Sequence, residues 1–257
     1  FNVEFDLSNV TNFSPESIAV LAACISSEHF TNGFNTQGNY PKSKVVSKVF
    51  EESGFFEHVE RLDNKEKYRL PKKAVLLHTV TDNKVEPDIA TSTCQFIKEK
   101  LGIEFIDDLE PLYVVLIEAM QNTNNHASKE VGVNYDWWLY YYEDKFNGLI
   151  HFTFLDIGIG VFESLPVQTW RRKVAGFIKI NSNLDLVDKL FNGEIRSRTL
   201  RKDRGKGIPQ IYDCSKEMLF EDFYIVSNNV LVDTKRYEKK LLKEEFYGTL
   251  YYWTIRI

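Results

Sequence analysis

Cysteine is scarce in this chain. Cys24, Cys94 and Cys214 lie far apart with no CxxC spacing, which argues against a zinc knuckle or a disulfide framework and fits a reducing compartment. Histidine is scarce as well: none of the five forms HExxH or a Cys/His cluster, so His29, His58, His78 and His151 read as ordinary surface or satisfied core residues. Long apolar runs are missing too. The central run Leu112 to Ile117 is cut by Glu118, against the roughly 20 residues that a bilayer-spanning helix needs. The opening FNVEFDLSNV reads as a strand and lacks the basic region followed by an apolar stretch that marks a signal peptide. A net charge of −5 gives no global attraction to nucleic acid or to an anionic membrane. These absences leave a cytoplasmic protein as the expectation, with no nucleic-acid or membrane partner indicated.

What is present supports a folded interior. The 257 residues are 43% hydrophobic and include 19 Phe, 13 Tyr and 4 Trp, beyond what a disordered chain carries. Residues 1 to 71 read as a small α/β unit. A first strand is followed by a helix with Ser14 as cap and Pro15 at its first position, and a second helix, KSKVVSKVFEES, closes at Gly54. A boundary is placed near residue 71, after the charged stretch RLDNKEKYRLPKK. Beyond it come a strand (AVLLHTV), a helix from Pro87 to about Leu101 stopped by Gly102, and a long helix opening at DDLEP with Asp108 as cap. The aromatic strands NYDWWLYYYED and GLIHFTFLD flank a turn at Asn147-Gly148. An irregular stretch from Val161 to Arg204 leads to the helix GKGIPQIYDCSKEM and the strands FEDFYIVS, NVLVDT and GTLYYWTIRI.

Three elements carry chemistry. In the long helix, Glu118, Asn122 and His126 recur every four residues, which places them on one face within about 80° of each other. A carboxylate and an amide among apolar neighbours must meet a partner, a metal or a ligand, unless they form a polar stripe on a half-exposed helix. In FLDIGIG, Asp156 ends a strand and precedes Gly158 and Gly160. An acid there can accept a hydrogen bond from an exocyclic amine while the glycines leave room for a flat ring, although an Asp-Gly turn is also a common structural device. In DRGKGIPQI, Gly205 and Gly207 open a helix beside Arg204 and Lys206, a pattern that suits phosphate but is neither a Walker loop nor GxGxxG after a strand.

In this order the elements resemble the GHKL superfamily of gyrase, the heat-shock chaperone, histidine kinases and MutL, over roughly residues 72 to 257. EAMQNTNNHA is similar to that family's asparagine box, LDIGIG to its first glycine box and RGKGI to its second; Gly248-Thr249 resembles its threonine element. The resemblance implies a two-layer α/β sandwich of the Bergerat type, with a mixed, largely antiparallel sheet, preceded here by the small α/β unit. It implies ATP and Mg²⁺ as cofactors, Glu118 as the water-activating base and Asn122 as the magnesium ligand. ATP would be held by Asn122, His126, Asp156, Gly158, Gly160, Arg204, Gly205, Lys206, Gly207 and Thr249. A lid is expected at about residues 161 to 204, ending in a basic run that includes Arg196, Arg198, Arg201 and Lys202.

The first segment resembles the STAS domain of anti-sigma-factor antagonists in its Asp6-Leu7-Ser8 strand end and its helix start near Ser14 and Ser17. EAMQNTNNHA looks closer to the anti-sigma kinases than to gyrase. The functions implied are an ATPase whose nucleotide state switches contact with a protein partner or a second copy, a serine protein kinase, or a nucleotide-sensing module without turnover.

Overall fold

The computed structural model describes residues 2–26, 35–57, 60–61, 76–79, 85–126, 136–165, 182–195 and 207–257. The boundary expected near residue 71 lies outside them, as do the side chain of His126 and residues 204–206.

Two sheets organise the chain. The smaller is parallel, in the order β1 (Asn2–Phe5), β2 (Asn35–Gly38), β3 (Glu60–Arg61). In chain order α1 (Pro15–Ser26) lies between β1 and β2, and α2 (Lys44–Glu52) between β2 and β3. The Ser43 hydroxyl caps α2 by accepting from the Val46 amide at 3.5 Å, and Gly54, with φ 77°, follows its end in the left-handed region that glycine tolerates best.

The larger sheet has five strands in the order β4 (Leu76–Thr79), β5 (Trp137–Asp144), β6 (Leu149–Asp156), β8 (Glu238–Arg256), β7 (Asp222–Asp233), and every neighbouring pair is antiparallel. The expected mixed sheet is therefore replaced, among the described residues, by one antiparallel and one parallel sheet. The segments FEDFYIVS and NVLVDT form one strand, not two, because a bulge at Asn228, φ 50°, carries β7 past the polar triplet Ser227-Asn228-Asn229.

Among the described residues four helices lie between β4 and α7 (Gly207–Ser215): α3 (Pro87–Leu101), α4 (Glu110–His126), the single-turn α5 (Val161–Ser164) and α6 (Val187–Phe191). Helix α7 precedes β7. Gly102, φ 64°, stops α3 where the sequence places the stop. Asp108 does not cap α4; it sits within a 3-10 turn, Ile106–Leu109, that runs directly into the helix. The turn after β5 spans four residues, with the Asp144 carboxylate accepting from the amides of Phe146 and Asn147 at 3.0 and 3.2 Å. Nor is 161–204 irregular throughout, since α5, a 3-10 turn at Asn183–Leu186 and α6 lie within it.

Strand alternation gives the larger sheet two apolar faces. On one, Phe152, Trp253 and Phe223 stack across β6, β8 and β7 at centroid distances of 5.3 and 5.6 Å. This ladder meets α4, whose buried Leu112, Val115, Leu116, Ala119, Met120 and Thr123 recur at helical spacing. On the other face Trp138, Tyr140, Leu155 and Leu250 pack with Ile18, Ala22 and Phe55 of the amino-terminal unit. The alanines of α1 let its backbone come close to the sheet. The larger sheet thus has helices on both faces, where a two-layer sandwich with one covered face was expected: the outward residues of β5, β6 and β8 are themselves aromatic or aliphatic and need a cover.

Candidate functional site

The apolar stripe of α4 leaves Glu118 and Asn122 on its flank, half-buried and facing the first turn of α7. The approach is close. A β-carbon placed on Gly207 would stand 2.8 Å from Asn122 Oδ1 and 2.9 Å from Glu118 Oε2, so any side chain there would displace both groups. Asn122 Nδ2 donates to the hydroxyl of the fully buried Tyr251 at 3.3 Å. Glu118 has no hydrogen-bond or ion-pair partner among the described residues, and partial burial raises its carboxyl above the usual range. Two acceptor oxygens therefore converge on the amino-terminal end of a nine-residue helix, where the first amides have no intrahelical partner.

Asp156 is the last residue of β6 and points to the same side as Phe152 and Phe154, toward α4. It is 4% exposed. Its Oδ1 accepts from the Gly158 amide at 2.9 Å, and its Oδ2 lies 3.4 Å from the Thr123 hydroxyl, whose single proton is shared with the Ala119 carbonyl at 3.2 Å. Burial pushes its carboxyl up to about 6, against the opposing pull of the Gly158 and Thr249 amides and the Thr123 hydroxyl. An ionised carboxylate offers about four lone-pair sites. Oδ2 thus keeps acceptor capacity for a further donor.

Thr249 faces Asp156 across the β6–β8 ladder. Ser227 donates its only proton to the Gly248 carbonyl at 2.9 Å, so the 3.2 Å contact between its Oγ and Thr249 Oγ1 is donated by Thr249. The same Oγ accepts from the Val161 amide at 2.8 Å. Asn228 clamps the glycine segment: its Nδ2 donates to the Ile159 carbonyl at 2.9 Å and its Oδ1 accepts from the Phe162 amide at 3.1 Å. Gly160, φ 79°, lies against this amide so tightly that a β-carbon would stand 2.5 Å from Asn228 Oδ1. A narrow apolar crevice borders the region, lined by Phe162, Phe191, Ile208, Ile225 and Ser227 among others.

The structure therefore brings together Glu118, Asn122 and Gly207, and beside them joins Asp156 and Gly158, at the end of β6, with Thr249, within β8; Tyr251, two residues beyond Thr249, touches Asn122. Gly160 serves the clamp rather than the carboxylate. Thr123, Tyr251, Ser227 and Asn228 escape the sequence reading. A signal existed for two of them, since Ser-Asn-Asn interrupting the apolar strand YIVSNNVLV has no place in a plain buried strand.

No protein-family model matches this chain, and no curated protein matches it. Among the described residues no group of three or more His, Cys, Asp or Glu could hold a metal ion, and no helix is long and apolar enough to cross a membrane.

Proposed function

We propose that this chain binds ATP with Mg²⁺ in a Bergerat-type site and hydrolyses it. The observation that carries the proposal is the convergence of Glu118 and Asn122 Oδ1 on the glycine-opened start of α7, on the sheet face that also bears Asp156 and Thr249. The residues fit a magnesium ion in the way nucleotide sites hold one: a single hard oxygen from Asn122 suffices where phosphates and waters supply the other ligands, so the lack of an all-protein cage is no obstacle. When bound, the ion neutralises phosphate charge and fixes the phosphates for in-line attack.

The chain's own groups then divide the work. The amides opening α7 receive phosphate oxygen, as helix amino termini do. Asp156 Oδ2 accepts from the exocyclic amine of adenine, with its Oδ1 held by Gly158 so that the carboxylate cannot turn away. Glu118 orients the attacking water and takes its proton; a carboxyl raised by burial holds that proton better than an exposed one. Reading the nucleotide state falls to the amino-terminal unit, because Leu155 and Leu250, the neighbours of Asp156 and Thr249, pack into its core cluster. That contact favours a switch over a passive site, with a cytoplasmic protein partner or a second copy as the receiver. The three free thiols fit that compartment.

Glu118→Gln keeps size and polarity while removing the base. It is expected to bind MgATP within about threefold of wild type and to release phosphate at least about 100-fold more slowly. Equal turnover by the variant would remove Glu118 from the mechanism, and phosphate appearing on protein in place of solution would turn the reading toward a serine kinase.

A further inference from the structure

We infer that Tyr251 is a positioning residue that sets which end of the Asn122 amide faces the magnesium site; the inference rests on the ATP-binding reading above. An asparagine side chain has two nearly isosteric ends, one an acceptor and one a double donor, and only the oxygen can ligate a cation. On a half-buried helix flank nothing in the residue itself selects between them. Here the two ends face different partners: Nδ2 donates to the Tyr251 hydroxyl, and Oδ1 is the amide atom that lies against Gly207.

Tyr251 is suited to this. It is fully buried on β8, its ring packs beside Phe154 at 6.2 Å, and it cannot swing to solvent. Its hydroxyl oxygen is the acceptor in the bond from Nδ2, so the phenol proton points away from Asn122 and an amide turned end for end would lose this bond. The strand register ties this to nucleotide recognition, since Tyr251 stands two residues after Thr249 on the same face of β8. One strand thereby supports both ends of the nucleotide.

The test is a double-mutant cycle read by calorimetric titration of ATP with and without Mg²⁺ into wild type, Tyr251→Phe, Asn122→Asp and the double variant. An aspartate at 122 presents an oxygen whichever way it turns, so it has no use for the tyrosine. Tyr251→Phe is expected to leave metal-free ATP affinity unchanged and to lower the enhancement by Mg²⁺ about tenfold or more, whereas in the Asn122→Asp background the same change should leave the enhancement within about twofold. Retention of the full enhancement in Tyr251→Phe, or an equal loss in both backgrounds, overturns the inference while the ATP reading stands. Absence of ATP binding to folded wild type overturns both. Should Tyr251→Phe fail to fold, exchange of the Asn122 side-chain amide protons in the wild type decides: slowed exchange supports the bond to Tyr251, and exchange as fast as that of a solvent-exposed amide overturns it.

Discussion

Gly207 approaches Asn122 so closely that a single methyl group on its α-carbon would stand 2.8 Å from the amide oxygen. The glycine opens a helix, where alanine is intrinsically better by up to about 1 kcal/mol. Gly207→Ala should therefore keep the fold and its melting temperature within a few degrees while lowering MgATP affinity about tenfold or more, because Asn122 and Glu118 must both give way. Calorimetric titration beside a thermal melt checks this. A variant that binds as wild type does would show that the close approach is mere packing.

Gly248 presents the opposite case. Its φ of 120° is strained for any other residue, and a β-carbon would lie 2.0 Å from the backbone carbonyl oxygen of Asp156, which cannot rotate aside. Gly248→Ala should cost about 3 kcal/mol or more, by separating β8 from β6 where Thr249 faces Asp156. Urea unfolding measures it; a loss below about 1 kcal/mol would mean that the strands part without cost at this point.

Asp156 ties stability to pH. Its carboxyl, ordinarily near 3.8, is pushed up to about 6 in the folded chain, so the folded state holds a proton that the unfolded state releases. Its contribution is complete below pH 4 and is lost as pH rises through about 6, a change on the order of 3 kcal/mol. Asp156→Asn should abolish that slope and leave the protein more stable than wild type at pH 7.5, yet without ATP affinity. Binding to wild type should weaken below about pH 6, where the acceptor for the adenine amine becomes protonated.

Much of this site was legible because its side chains sit on regular elements. The helical stop at Gly102, the glycine start of α7 and the i,i+4 pair Glu118 and Asn122 each follow from local geometry that the chain spells out. The strand pair around Asn147-Gly148 was equally plain, though its turn proved longer because Asp144 caps it. What stayed hidden depends on register between distant strands. Tyr251 looks like one more aromatic in GTLYYWTIRI until its face of β8 is known, and Thr123 like one more polar helix residue until Asp156 is placed opposite. Docking of the amino-terminal unit is hidden for a similar reason, since composition says nothing of the apolar back face that Leu155 and Leu250 share.

Asn228 offers a separate check on the glycine segment. Its amide bonds Ile159 and Phe162 and walls in Gly160. Asn228→Ala removes both bonds and a conformation, φ 50°, that asparagine tolerates better than alanine. A loss of about 1–3 kcal/mol is expected, with faster amide exchange at residues 158–162. Unchanged exchange there would assign the segment's order to Ser227 alone.

Calorimetric titration of ATP, with and without Mg²⁺, into the wild type and Asp156→Ala is the decisive test of nucleotide binding. Binding to the wild type that strengthens with Mg²⁺ and disappears in Asp156→Ala is the predicted result. No binding to correctly folded wild type, or equal binding by both proteins, would contradict it.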